Sequence, residues 1–199
     1  MKTNPKVLFI IHDLYQEDNY LPLGPAYMAA FLKKNGIEVS VYSQDVFHYT
    51  NEELSEFLDK NEFNIICIGF LAARFRETIE SLCRTVNEHK KDAWLILGGA
   101  GPSPIPDYIL KKTKADIIAV GEAEETILEL VNCKNEGGDL TKIKSIAYWI
   151  DDNVVINERR EPIKNLDSIP FPGWSIFPME KYIACLKPSG ANDTDIAIS

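Results

Sequence analysis

The sequence of 199 residues shows no cysteine spacing typical of a metal site, no long apolar run and no recognisable secretory leader. No C-x-x-C pair occurs among its four cysteines, so we expect small buried side chains rather than metal ligands or, in a reducing compartment, disulfides. No apolar run approaches the roughly 20 residues that a membrane-spanning helix needs. The first run, "KVLFII", is too short for the core of a signal peptide. We therefore expect a cytoplasmic protein whose own side chains bind no metal.

Positive charge is also scarce. The chain carries 21 Lys and Arg residues against 30 Asp and Glu residues, which gives a formal net charge of −9. An acidic surface repels the phosphates of nucleic acids and anionic membranes, so we expect neither as a partner. With 45% hydrophobic and 26% charged residues, the composition is that of a globular protein.

Five short apolar runs predict the strands of a sheet. Four of them are nearly continuous in Val, Ile and Leu, which is typical of parallel strands covered on both faces. The second run alternates apolar and polar residues, which places it at an edge of the sheet. The runs are residues 6–11, 37–42, 63–70, 93–99 and 116–121.

Helical patterns separate the runs. Pro25 and Gly36 mark the start and end of the first helix, and Thr50 or Asn51 caps another. With right-handed crossovers, this alternation predicts an α/β fold with a doubly wound, flavodoxin-like (Rossmann-type) sheet of five parallel strands in the order 2-1-3-4-5. Ligands of such sheets bind beyond the carboxyl ends of the strands. The candidate loops are residues 12–24, 70–75, 98–104 and 121–124.

The pattern changes after residue 138. Residues 139–199 are predicted to form a β-hairpin, with its turn at Asp151–Asn153, and an irregular linker rich in proline and aromatic residues. The last residues, "TDIAIS", begin another apolar strand. We therefore expect two parts: residues 1–138 as a ligand-binding domain, and residues 139–199 as a hairpin and linker that lead into a further domain.

The stretch "LGGAGPSP", residues 97–104, follows the fourth run. Its glycines either make a turn or let a ligand approach the backbone closely. A dinucleotide fingerprint would follow the first strand and would need a third glycine where this chain has Pro104. Carboxylates between residues 12 and 24 would repel a flavin phosphate, and a phospho-receiver domain would need an acid where Gly69 ends the third run.

Four segments together carry a family resemblance. They are "LPLGPAYMAAFLKKNGIEVSVY", "LGGAGPSPIPDYIL", "VGEAEETILEL" and "NLDSIPFPGW". Along essentially the whole chain, the sequence resembles the cobalamin-binding domain that precedes the catalytic barrel in cobalamin-dependent radical S-adenosylmethionine enzymes. The fourth segment looks like the linker into that barrel.

The motif spacing agrees with this resemblance, but the polar motif residues differ. The better-known cobalamin domains carry D-x-H-x-x-G, S-x-L and G-G; here Asn19-x-Leu21-x-x-Gly24, Gly69-Phe70-Leu71 and, after residues 72–97, Gly98-Gly99 take these places. Because Leu21 replaces the histidine, the resemblance implies base-off cobalamin without a histidine below the cobalt. His12 precedes that register, and we interpret it as a loop or core residue. The implied cofactor-binding residues are Leu21, Gly24, Gly69, Phe70, Leu71, Gly98, Gly99, Ala100, Gly101, Pro102, Gly121 and Glu122.

The resemblance also implies a longer enzyme. Such enzymes use S-adenosylmethionine and a 4Fe-4S cluster held by C-x-x-x-C-x-x-C, a motif that this chain lacks. We therefore expect the amino-terminal part of a radical methyltransferase-type enzyme, inactive without its radical S-adenosylmethionine barrel. The missing Asp, His and Ser leave a second interpretation, a degenerate scaffold domain that binds no cofactor. A domain for another small molecule is the third.

Overall fold

Seven strands in the described part of the chain form one sheet. They are β1 Lys6–Ile11, β2 Glu38–Ser43, β3 Ile65–Gly69, β4 Trp94–Gly98, β5 Ile117–Ala119, β6 Ile146–Ile150 and β7 Asn153–Ile156. The computed structural model describes residues 4–13, 21–71 and 76–185. The strand order is β2-β1-β3-β4-β5-β6-β7, with β1 to β5 parallel. The predicted order 2-1-3-4-5 is confirmed, and so is the edge position of the second strand.

Helices cover both faces of the sheet. They are α1 Leu23–Lys34, α2 Gln44–Phe47, α3 Asn51–Lys60, α4 Arg76–His89, α5 Pro106–Thr113, α6 Glu124–Glu136 and α7 Met179–Cys185. Apolar residues of α1 and α6 join one buried core, and those of α3, α4 and α5 join a second core on the opposite face. The central strands are therefore buried on both sides, which explains their continuous apolar sequences. Within the described residues, every helix is too short or too polar to span a membrane.

Local signals start and end the helices as predicted. The Thr50 hydroxyl accepts a hydrogen bond from the Glu53 backbone N–H, and the Glu53 carboxylate accepts one from the Thr50 N–H, which makes a complete capping box for α3. Pro25 lies in the first turn of α1, and Gly36 follows its end with a φ of +78°. The four-residue helix α2 was not predicted, because its residues show no helical period.

The hairpin β6–β7 extends the sheet rather than standing beside it. Strand β6 pairs antiparallel with β5, and β7 pairs antiparallel with β6. The Val120 N–H also donates to the Ser145 carbonyl at 2.8 Å, which continues this contact. The hairpin therefore covers the edge of β5, a strand of only three residues, whose backbone groups would otherwise be unpaired. The boundary predicted at residue 138 thus falls within one continuous sheet.

Residues 157–185, here called the connector, return across the face that carries α1. The Gly173 N–H donates to the Ala26 carbonyl at 2.9 Å, and the Lys34 ammonium donates to the Ser168 carbonyl at 3.1 Å. A Cβ at Gly173 would stand 3.3 Å from the Ala30 nitrogen, so glycine permits this close approach. At its end, α7 buries Tyr182 completely. The connector is therefore packed on the helix that borders the carboxyl ends of the strands.

Candidate functional site

An apolar cavity of about 340 Å³ lies at the carboxyl ends of β1, β3, β4 and β5. The sheet forms its floor, and the amino-terminal parts of α1 and α6 form its sides. This is the location at which doubly wound sheets bind ligands. The strands contribute Phe9, Ile11, Cys67, Gly69, Ile96, Gly98 and Ala119, and the helices contribute Gly24, Met28, Ala123 and Ile127.

Three small residues keep the floor of the cavity open. Gly69 and Gly98 are paired across β3 and β4, and a Cβ on Gly98 would stand 3.8 Å from the Cβ of Ala119. Neither glycine has a positive φ, so the backbone there does not require glycine. Their missing side chains therefore create space rather than a turn.

Glycine is needed at positions 99 and 101 for a different reason. Gly99 has a φ of +99°, and a Cβ there would stand 2.8 Å from the Phe70 carbonyl oxygen. A Cβ on Gly101 would stand 2.5 Å from the ring of Phe70, whose carbonyl accepts a 2.9 Å hydrogen bond from the Gly101 N–H. These glycines are needed for the packing of Phe70, which is 2% exposed. The space beside Gly101 is thus filled by the protein itself.

The predicted site residues divide into two groups. The cavity brings together Leu21, Gly24, Gly69, Phe70, Leu71, Gly98 and Gly99. Leu71 is 76% exposed and therefore lies at the mouth of the cavity. The structure does not bring Ala100, Gly101, Pro102, Gly121 or Glu122 to its walls. Asn19 of the predicted first motif and the strand expected at 194–199 lie outside the described residues.

Gly121 and Glu122 line a smaller cavity of about 230 Å³ that also borders Arg159 and Arg160 of the connector. One Glu122 oxygen accepts a hydrogen bond from the Ile163 N–H at 2.7 Å. Arg160 donates to Glu125 at 2.8 Å and to Glu129 at 2.5 Å. These acids, just before α6 and in its first half, therefore hold the connector in place.

Ser103 links the loops that follow β4 and β5. Its hydroxyl donates to the Gly99 carbonyl at 2.8 Å and accepts a hydrogen bond from the Gly121 N–H at 3.1 Å. Sequence reasoning did not single out this residue, because a serine between two prolines is ordinary in a loop. In the fold, one hydroxyl holds the two glycine-containing loops together beside the cavity.

Two polar side chains of the cavity wall were also missed as site residues. His12 follows β1 and Asp45 follows β2, so each lies at the carboxyl end of a strand, and both line the cavity. Burial lowers the pKa of His12, although the nearby Asp13 charge and a hydrogen bond with the Gly69 backbone oppose that shift. Burial raises the pKa of Asp45 to about 6, against the hydrogen bond from Tyr182. Their positions shortly after predicted strands were the only signal in the sequence that could have identified His12 and Asp45 as cavity residues.

These two residues belong to a polar cluster at the β1–β2 side of the cavity. The Tyr182 hydroxyl donates to Asp45 Oδ1 at 3.1 Å and lies 3.4 Å from the Ser43 hydroxyl. His48 Nδ1 and Asp13 Oδ2 are 2.7 Å apart. No Lys or Arg occurs among the described wall residues, and no group of His, Cys, Asp or Glu there could hold a metal ion. The wall therefore fits a neutral apolar group rather than a phosphate or a bare metal.

Comparisons with known proteins find a matching family, related sequences and similar structures. The family model described as the B12 binding domain matches residues 17–131. An uncharacterized methyltransferase from Pyrococcus horikoshii is 26% identical over 172 residues, which cover 85% of this chain and 37% of that protein. The chain thus spans less than two fifths of this curated relative.

Two solved structures share the fold. The cobalamin-dependent S-adenosylmethionine radical enzyme OxsB, with aqua-cobalamin and S-adenosylmethionine bound, matches with a TM-score of 0.76 and 17% identity over 92% of this chain and 25% of that chain. The radical S-adenosylmethionine methyltransferase TsrM from Kitasatospora setae, with cobalamin and a [4Fe-4S] cluster bound, gives 0.73 and 15% over 85% of this chain and 31% of that one.

Proposed function

This chain belongs to the B12 binding domain family, and on that premise we propose that it binds cobalamin with the nucleotide tail in the apolar cavity. The observation that carries the proposal is the open floor beside Gly69, Gly98 and Ala119. A scaffold with no ligand would gain by filling such a space, because each buried methylene stabilises a fold by about 0.8 kcal/mol. Here glycine stands at positions where the backbone would accept a side chain.

The chemistry of the wall orients the tail. A benzimidazole base is flat and largely apolar, so it matches a floor made of aliphatic side chains and glycine. The phosphate of the tail carries a negative charge, and the described wall offers it Asp45 but no cation. We therefore place the base inside the cavity and the phosphate at its mouth, in water.

Base-off binding follows from this placement. A base held on the floor of the cavity is removed from the cobalt and does not ligate it. Leu21 lines the cavity in the register where a ligating histidine would lie, and it offers only an apolar contact. We propose that no histidine binds the cobalt, with His12 serving as a wall residue. When bound, cobalamin supplies the metal centre for the group transfer, while this chain supplies orientation and the exclusion of water.

The wider activity is proposed from the relatives. We propose that residues 1–138 hold cobalamin and that residues 139–199 lead into a radical S-adenosylmethionine barrel carrying a 4Fe-4S cluster. The names of OxsB, TsrM and the Pyrococcus horikoshii methyltransferase support this context. The reaction would then be a methyl transfer that this chain does not perform alone.

A scaffold domain without cofactor is the second candidate. Phe70 favours it in part, because its ring fills the space beside Gly101. The open cavity at Gly98 favours binding instead.

Retention of hydroxocobalamin decides between these two functions. The purified protein is reconstituted with hydroxocobalamin and desalted, and we expect it to keep the red colour. Gly98→Val should lose the colour, because the branched side chain enters the cavity without backbone strain. Ala100→Val is the matched control, since Ala100 is exposed in the same loop and lines no part of the cavity. A colourless wild-type protein would support the scaffold.

A further inference from the structure

We propose that the cavity selects among corrinoids by their lower base, accepting benzimidazole and rejecting the purine adenine. This proposal rests on the proposed function and adds the class of corrinoid that the site takes. Natural corrinoids share the ring but differ in this base. Benzimidazole attached through one nitrogen has a single acceptor left, whereas adenine has an amino group and several acceptor nitrogens.

The floor of the cavity offers these groups no partner among the described side chains. Phe9, Ile96 and Ala119 on the floor, and Ile127 on the side beside it, are each at most 4% exposed and carry no polar side-chain atom. Cys67 lies between them in the sheet, and burial raises the pKa of its thiol, so it stays neutral and is at most a weak donor. A base that reaches this floor is therefore surrounded by hydrocarbon.

The backbone around the floor is also occupied. Gly69 and Gly98 belong to the paired ends of β3 and β4, and the Gly98 carbonyl accepts a 3.1 Å hydrogen bond from the Phe70 N–H. The loop beyond uses its polar groups internally, because the Gly99 carbonyl accepts from Ser103. The carbonyls of Gly98 and Gly99 are thus bonded within the protein before a ligand arrives.

The polar side chains of the cavity already have partners. His12 follows β1 and hydrogen-bonds with the Gly69 backbone, and Asp45 follows β2 and accepts a hydrogen bond from Tyr182. The floor extends from Phe9 on β1 to Ala119 on β5, and β2 lies at the outer edge of the sheet, beyond β1. A base seated on the floor therefore turns its edge toward the apolar wall, not toward Asp45.

An adenine tail would have to bury polar groups that lose their water and gain no partner. One such group lowers affinity by about tenfold or more. We therefore expect the adenine-containing corrinoid to bind at least about tenfold more weakly than cobalamin. Tail-less cobinamide should also bind more weakly than cobalamin, because it leaves the cavity empty.

Equilibrium dialysis of the full chain against cobalamin, the adenine analogue and cobinamide measures these affinities. All three are kept anaerobically as cobalt(I), which carries no lower ligand, so that detaching the base from the metal contributes nothing to the comparison. Equal affinities for the two bases would overturn the selectivity and leave the proposed function standing. If cobinamide binds as tightly as cobalamin, the tail lies outside the cavity. No binding of any of the three overturns the proposed function itself.

Ala119→Ser supplies a second arm. It adds one hydroxyl to the floor, opposite Gly98, and should reduce the preference for benzimidazole severalfold. Ala100→Ser, in the exposed loop, is the matched control and should leave the preference unchanged. Asp45→Asn should also leave it unchanged, and a changed preference there would show that the base faces Asp45, against the proposal. The wild-type comparison stands by itself if Ala119→Ser does not fold.

Discussion

At the scale of single residues, two adjacent glycines have different structural roles. Gly98 ends β4 and leaves open space above the floor, whereas Gly99 has a φ of +99° and touches the Phe70 backbone. A sequence shows both as one "GG" pair. Only the backbone angles and the nearest atoms separate the glycine that makes room from the glycine that makes the turn.

Alanine at the two positions should therefore have different effects. Gly99→Ala should lower the free energy of unfolding by about 1–3 kcal/mol, because it strains the backbone and collides with Phe70. Gly98→Ala should keep that free energy or raise it by up to about 1 kcal/mol, because it fills open space without backbone strain, and it should weaken cobalamin binding. Urea unfolding of the protein without cofactor measures the first effect, and dialysis measures the second. Equal losses of stability would contradict this division.

His12 gives the sharpest test of the cobalt's lower face. In the cobalamin-loaded protein reduced to cobalt(II), the EPR spectrum should show no nitrogen splitting from an axial ligand. His12→Leu should leave that spectrum unchanged, as should the control His89→Leu on α4, where His89 pairs with Asp59. A splitting that disappears only in His12→Leu would identify His12 as the ligand. One that persists in both variants would show that the tail base remains on the cobalt.

At the scale of elements, α7 is joined to the cavity wall through one side chain. Tyr182 is fully buried, and its hydroxyl contacts Asp45 and Ser43 at the end of β2. The same connector is bonded to α1 through Gly173 and Ala26. The connector thus holds both α1 and the end of β2, which shape the cavity. From its irregular sequence, it was predicted only to be a linker.

The Asp45 carboxyl should give this region a measurable dependence on pH. Its folded-state pKa, about 6, lies above 3.8, the ordinary pKa of an aspartate side chain, so folding favours the protonated form. That contribution is complete below the lower value and is lost as the pH rises toward about 6, at a cost of up to about 3 kcal/mol. Asp45→Asn removes this loss, so the stability of the variant relative to wild type should rise between about pH 4 and pH 7.

The difference between the two proteins isolates Asp45 from its titrating neighbours. Asp13 and Tyr182 face it, and His12 and His48 lie in the same cluster, but all four are present in both proteins. Urea unfolding at several pH values measures the difference. The control Asp107→Asn, at an exposed helix start, should show no such trend. Parallel curves for wild type and Asp45→Asn would contradict the assignment.

At the scale of the whole molecule, the sequence predicted the parallel sheet but did not show that the hairpin β6–β7 extends it. Continuous apolar runs separated by amphipathic helices determine the order 2-1-3-4-5, because crossover handedness and burial leave few alternatives. Apolar residues of "SIAYWI" indicate a strand, yet they do not reveal that Ile146 pairs beside Ala119. That pairing depends on which edge of the sheet is free.

The candidate site was predictable to a similar extent. The spacing from Gly69 to Gly98 placed both glycines at the strand ends, where they meet. The roles of Gly101 and Glu122 were not visible, because Phe70 and Ile163 reach them only in the folded chain. Asp45 was missed, and His12 was interpreted as a loop or core residue, because single polar residues after strands are common in any α/β protein.

A crystal structure of this chain with hydroxocobalamin tests the central claim most directly. The account predicts a benzimidazole base on the floor of the cavity, in contact with Gly98 and Ala119, with its phosphate at the mouth and no imidazole on the cobalt. A corrinoid bound elsewhere, or a cavity left without the base while the corrinoid is bound, would contradict it.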